Sequence, residues 1–187
     1  CNIVHEYEGI VVRSASTITK KIIDAGKKLK VVGRAGIGVD NIDISAATDK
    51  GIVVMNTPFG NSITTAEHTI GLLMSLARNI PQANQSIKQG KWEKSKFMGA
   101  ELFGKSLGMI GCGNIGSLVA ERSMGLKMKV MVYDPFLSEE QTSKLGAKKV
   151  ELKELISQAD FITLHTPFTN ETKGILNKES LKTCKAG

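Results

Sequence analysis

Ser106-Leu107-Gly108-Met109-Ile110-Gly111-Cys112-Gly113-Asn114-Ile115-Gly116 is the stretch whose reading decides the fold. Its apolar run, Leu107 to Ile110, passes directly into glycines spaced G-x-G-x-x-G, and Ile115, Leu118, Val119 and Arg122 continue at helical spacing. Strand, glycine turn and helix without a gap are the context a dinucleotide fingerprint needs. Gly111 permits the tight turn out of the strand, Gly113 lets backbone approach a pyrophosphate, and Gly116 lets the helix lie close to the strand. The helix N-terminus then offers free N–H groups and a partial positive charge to phosphate. A second strand, Lys129 to Tyr133, ends in Asp134, about twenty residues beyond the glycines. A carboxylate there meets ribose hydroxyls and repels a 2′-phosphate, so NAD rather than NADP is the expected cofactor.

Composition excludes several other classes. The 187 residues are 41% hydrophobic with a net charge of +7, and no apolar run approaches the roughly 20 residues that span a bilayer. The lysines are dispersed, aromatic residues make up only 5%, and no nucleic-acid motif is present. Neither a nucleic-acid nor a membrane partner is expected; solvated helix faces and an anionic small substrate account for the charge. Cys1, Cys112 and Cys184 are too far apart in sequence for a C-x-x-C pair, which argues against a zinc site or disulfide framework and for a reducing, cytoplasmic compartment. Cys112 has a redox reading, but no cationic partner is near it in sequence, and small size inside the glycine turn explains it. The opening residues do not read as a basic-then-apolar leader. Because the first is Cys1, the chain is expected to open part-way into a longer protein.

Before the glycine turn, Glu8 to Ser14 reads as a buried strand ending in a polar loop, and Thr17 to Ala25 as a helix capped by Gly26. Leu29 to Val32 and Gly51 to Asn56 read as further strands, with a helical turn from Ile44 to Thr48 between them. Alternating strands and helices predict a parallel α/β sheet. From Ser62 to Asn79, residues Ile63, Ala66, Ile70, Leu73, Met74 and Ala77 draw an apolar stripe; Pro81 starts a second helix and Gly90 ends it. Trp92 and Phe97, among lysines, are expected to pack on a neighbouring element or a partner chain. After Asp134 the pattern predicts a helix over 138–145, a short strand at 149–150, a helix over 152–158, a strand from Asp160 to His165 and a helical turn over 178–184. The expected division is 1–58, part of one domain; 59–100, bridging helices and a loop; and 101–187, the first part of a dinucleotide domain. Four strands are visible there where a complete domain has about six, so a fragment is expected, with the last strand presenting an unpaired apolar edge.

Leu107-Gly108, Ile110-Gly111-Cys112-Gly113-Asn114-Ile115-Gly116, Val130 and Tyr133-Asp134 resemble the NAD signature of the D-isomer-specific 2-hydroxyacid dehydrogenases. The likeness extends to Arg13-Ser14-Ala15, to Val32 through Asn41, to Met55 through Ser62 and to Gly90 through Gly99, covering essentially the whole chain. It implies a doubly wound, Rossmann-type NAD domain, incomplete here, beside part of a flavodoxin-like substrate domain. It also implies a homodimer or higher homo-oligomer acting on a small anionic, phosphorylated 2-hydroxy acid. By that resemblance Gly111, Gly113, Asn114, Ile115 and Gly116 hold the pyrophosphate and Asp134 the adenosine ribose. Thr166 and Pro167 line the adenine side, and Ile37 stands near the nicotinamide where many relatives have threonine. The backbone of Ala35 and Gly36 receives the substrate carboxylate. Arg13, with Ser14 beside it, and Arg34 bind the phosphate, and Lys94 or Lys96 reaches a partner subunit's substrate. The family's carboxylate-binding arginine, its glutamate and its catalytic histidine fall beyond Gly187, so no residue here is assigned a catalytic role, and none a metal.

The duller readings stand beside these. His165 at a strand end reads as packed or hydrogen-bonded, His68 as surface, His5 as incidental, and Asp40 and Asp43 as loop aspartates capping the Ile44 turn. Arg13 and Arg34 are fold contacts on one reading and anion ligands on the other. An NAD-sensing interaction module, akin to corepressors of this fold, and another D-2-hydroxyacid dehydrogenase are the alternative functions.

Overall fold

The computed structural model describes residues 3–186. The chain divides into two compact units, Cys1–Ser62 and Ile63–Gly187.

The first unit is built from Gly9–Val12 (β1), Lys20–Ala25 (α1), Val31–Arg34 (β2), Ile44–Asp49 (α2) and Val53–Asn56 (β3). The strands form a parallel sheet in the order β1-β2-β3, with Val12 opposite Arg34 and Arg34 opposite Asn56. Val12, Ile23, Val32, Ile42, Ala47 and Ile52 make its core. Asp43 caps α2, its carboxylate accepting from Ala46 N at 3.0 Å.

Three details differ from the sequence reading. The apolar run of β1 is not buried on both faces: Val11 is 81% exposed, because successive side chains alternate and only Ile10 and Val12 turn towards the core. The first helix starts at Lys20 rather than Thr17, since Ile18 is held in a parallel bridge to Ile42, with Ile18 N donating to Asn41 O at 2.8 Å. Gly26 ends α1 at φ −77°, not in a left-handed cap; its lack of a side chain makes room for Leu29, whose Cβ would lie 2.9 Å from an added methyl.

The second unit carries Ser62–Ala77 (α3), Ile80–Lys88 (α4), Ser106–Ile110 (β4), Asn114–Gly125 (α5), Lys129–Tyr133 (β5), Glu139–Lys144 (α6), Lys148–Lys149 (β6), Leu152–Gln158 (α7), Phe161–Leu164 (β7) and Lys178–Leu181 (α8). Its sheet is parallel in the order β6-β5-β4-β7, so the direction of strand addition reverses between β4 and β7. One face buries Leu107, Met109, Val130 and Val132 with Val119 and Ala120 of α5; the other buries Ile110 and Met131 with Leu155 and Ile156 of α7. Both faces are covered, which is why these strands read as continuous apolar runs. Gly108 is needed on the second face, where an added methyl would sit 2.5 Å from Leu155 Cδ2.

On α3, Ala66 and Ala77 are buried and Ile70, Leu73 and Met74 pack against them, but Ile63 is 59% exposed and does not join the stripe. Asn79, left-handed at φ 53°, turns the chain into α4, whose first positions hold Pro81. Phe97 is half-buried, whereas Trp92 is 81% exposed. Among the described residues no helix is long and apolar enough to cross a membrane.

Candidate functional site

Parallel strands point their carboxyl ends at one edge, and in open α/β sheets ligands bind there, at the point where strand order reverses. In the second unit that edge lies at the ends of β4, β5 and β7. Ile110 is paired with both Tyr133 and Leu164, so Gly111, Asp134 and His165 follow at one level. Gly111 N donates to Tyr133 O at 2.9 Å and His165 N to Ile110 O at 2.8 Å, tying the three strand ends together.

The glycines of the turn have separate physical causes. Gly111 is at φ +85°, and a methyl on it would sit 2.7 Å from His165 O and 2.8 Å from Thr166 Cγ2. Gly116 lies so close to the turn that an added methyl would be 2.7 Å from Gly111 O. Gly113 differs. Its φ of −75° suits any residue, and a methyl there would meet nothing within 4 Å. No neighbouring atom crowds that position. Gly113 caps α5 without a side-chain hydrogen bond, and Gly113 and Asn114 are exposed, so no side-chain cap occupies the start of the helix. The site fits a dinucleotide pyrophosphate.

Asp134 is nearly buried at 9% exposure. Its Oδ2 accepts from Cys112 N at 2.8 Å and its Oδ1 from Phe136 N at 2.8 Å. The carboxylate thus braces the glycine turn while standing at the end of β5. Burial first, and then the Asp134 charge, push the Cys112 thiol up to about 11, so it is a packed, unreactive group. His165 is half-buried; its Nε2 is 3.0 Å from Thr163 Oγ1, and burial lowers its pKa. It is a packed histidine, as the duller reading expects. Thr166 is brought against Gly111, while Pro167 beyond it is exposed. His68 is on the surface. Among the described residues no cluster of ligating side chains could hold a metal.

In the first unit the same logic gathers a second set. Arg13 and Ser14 follow β1, Arg34 ends β2, and Ala35, Gly36 and Ile37 follow it; Ala35 N donates to Val12 O at 2.9 Å. Arg34 folds back over Gly36, where an added methyl would lie 2.1 Å from Nη1. Arg34 Nε is buried without a hydrogen-bond partner, and among the described residues neither Arg13 nor Arg34 forms an ion pair. Asn56 Nδ2 donates to Ile37 O at 2.7 Å and Thr57 N to Gly36 O at 3.1 Å, holding the loop from its other side. The Asn41 and Asn56 amides escape sequence reasoning, since an asparagine that bonds a distant carbonyl looks like any loop asparagine. Asp160 is missed for the same reason: its carboxylate takes Ser106 N at 2.7 Å and Lys185 Nζ at 2.8 Å, clamping the starts of β4 and β7.

Residues 70–187, more than half of the chain, match the NAD binding domain of the D-isomer specific 2-hydroxyacid dehydrogenases. The chain belongs to this family. Among curated members, D-3-phosphoglycerate dehydrogenase of Synechocystis sp. is 52% identical over 184 residues, which cover 98% of this chain and 33% of that protein. The Homo sapiens D-3-phosphoglycerate dehydrogenase is likewise 52% identical, over 98% of this chain and 34% of its own length. The chain thus spans about a third of the length of the curated relatives it matches. A solved structure of D-lactate dehydrogenase from Aquifex aeolicus, complexed with NAD and lactic acid, superposes on the whole chain with a TM-score of 0.92 at 30% identity, over 56% of its own length. The family fold places the second unit as a Rossmann-type, NAD-binding α/β domain.

Proposed function

We propose that the complete protein oxidises D-3-phosphoglycerate to 3-phosphohydroxypyruvate with reduction of NAD, the first step of serine biosynthesis. The observation that carries this reading is the pair of unpaired guanidinium groups, Arg13 and Arg34, at one end of the first sheet. Arginine without a carboxylate partner, one with a buried orphan N–H, suits a phosphate bound through planar forks. Ser14 beside Arg13 joins that phosphate site, and the backbone of Ala35 and Gly36 takes the substrate carboxylate. In the second unit Gly111, Gly113, Asn114, Ile115 and Gly116 hold the pyrophosphate and Asp134 the adenosine ribose. Thr166 and Pro167 line the adenine side, and Ile37 of the first unit belongs to the nicotinamide end. Bound NAD supplies the hydride acceptor. The residues described here bind and orient; none is assigned the proton transfer, and His165, packed against Thr163, is unsuited to it.

The complete protein works in the cytoplasm as a homodimer or higher homo-oligomer, without a nucleic-acid or membrane partner. Support for pairing comes from exposed apolar side chains of the bridging segment, among them Leu76 at 70%, Trp92 at 81% and Met98 at 75%. Free Cys112 and Cys184 agree with a reducing compartment. The deciding experiment measures NADH formation by the complete polypeptide with D-3-phosphoglycerate, D-lactate and D-glycerate. Preference for the phosphorylated acid is expected. Equal turnover of D-lactate would instead place it among the other dehydrogenases of the family, and NADH binding without any turnover would make it a sensing module.

A further inference from the structure

We infer that Asn41 is a positioning residue for the phosphate end of the substrate, acting through the loop that carries Arg13; this rests on the substrate reading above. Asn41 lies between β2 and α2 and is only 9% exposed. Its Nδ2 donates to Arg13 O at 2.9 Å and to Ser16 O at 2.6 Å, reaching back 28 and 25 residues. Those two carbonyls bracket Arg13-Ser14-Ala15-Ser16, the exposed segment that leaves β1. The segment's own closure is weak, since Ser16 N lies 3.5 Å from Arg13 O. The amide therefore sets its shape.

The clamp has a firm base. Asn41 O accepts from Ile18 N at 2.8 Å, and Asp43 N donates to Ile18 O at 2.9 Å. Asn41 Oδ1 is buried and accepts no hydrogen bond. A buried orphan acceptor is costly, so an apolar residue would suit this position better if packing alone mattered. What the amide adds is two coplanar N–H donors on a short stem, matched to two carbonyls. An arginine on an exposed segment has a long, mobile stem; fixing the backbone beneath it reduces the ordering cost of pairing its guanidinium with a phosphate. Loss of the clamp should therefore weaken binding of the phosphate end and spare the chemical step.

The test compares Asn41→Ala, which removes both donors, with Asn41→Ser, which keeps one short donor, in the complete polypeptide. Steady-state rates are measured with D-3-phosphoglycerate and with D-glycerate, the same acid without its phosphate. NADH affinity and hydrogen–deuterium exchange at residues 14–16 are read on the same samples. For Asn41→Ala, KM for the phosphorylated acid should rise roughly tenfold or more, as expected for two lost hydrogen bonds, with kcat within about threefold. Asn41→Ser should fall between it and the parent, and it serves alone if the alanine variant fails to fold. kcat/KM for D-glycerate and NADH affinity should not change, and exchange at residues 14–16 should quicken. Equal losses on both acids would mark a merely structural residue and overturn the inference, as would unchanged KM and exchange. No turnover of D-3-phosphoglycerate by the parent would refute the substrate reading instead. Exchange at residues 14–16 would then decide the clamp by itself, and unaltered exchange would refute that too.

Discussion

At the scale of single residues, Gly111 and Gly113 separate two meanings of one motif. Gly111→Ala forces a side chain into the left-handed region and against His165 O, so it should destabilise the fold by about 2–4 kcal/mol, combining backbone strain and overpacking. Gly113→Ala meets no atom, so stability should move by less than about 1 kcal/mol. On the pyrophosphate site proposed above, it should nevertheless weaken NADH binding about tenfold or more, because the methyl would stand between the backbone and the phosphates. Thermal unfolding and NADH fluorescence titration on both variants check the pair. Cys112 gives a prediction of its own. With its thiol near 11, the thiolate fraction at pH 8 is on the order of one in a thousand, and the group is only 3% exposed. Iodoacetamide at pH 8 should leave the Cys112 peptide unmodified in the native protein and label it after unfolding, as read by mass spectrometry. These roles were legible only in part. The spacing of the glycines marks the turn, but which of them the fold crowds and which it leaves open depends on what lies within 3 Å of each.

Among the elements, β4 is the hub: it pairs with β5 and β7 and carries the glycine turn at its end. Its start is held by Asp160, whose pKa is lowered chiefly by the hydrogen bond from Lys185 and next by that from Ser106 N. A carboxyl with a depressed native pKa adds stability above its unfolded value of about 3.9, and that contribution disappears as pH falls through the native value. The protein should thus lose more stability between pH 6 and pH 3 than Asp160→Asn does, with Asp160→Asn less stable at pH 6. Urea midpoints at the two pH values test this. Helix α7 and strand β5 were legible to the residue, since a strongly periodic run between breakers leaves little freedom. The start of α1 and the burial of β1 were not. Ile18 is drawn from the helix by a partner 24 positions away in sequence, and Val11 has the composition of a buried residue on a face that stays exposed.

At the scale of the molecule, β7 stands at the end of its sheet. Among the described residues β7 pairs only with β4, Leu164 is 44% exposed, and a groove of about 780 Å³ runs beside the strand, lined by Leu72, Leu76 and Phe161 among others. An unpaired apolar edge templates further pairing. A polypeptide of these 187 residues should therefore self-associate in sedimentation velocity as its concentration rises, and Leu164→Lys should suppress this. A cooperative monomer at all concentrations would contradict the expectation. The sequence by itself determined the class of the fold, the glycine turn, the acid at the end of β5 and the arginines that follow β1 and end β2. These are local signals: a period, a breaker or a charge at a fixed spacing. Only the tertiary structure decided that Asp134 braces the turn it faces, that Arg34 folds back over Gly36, and that Asn41 grips the Arg13 loop. Each of those depends on hydrogen bonds or close contacts between groups placed by folding, and hydrogen-bond geometry over such separations leaves no periodicity in the chain to read.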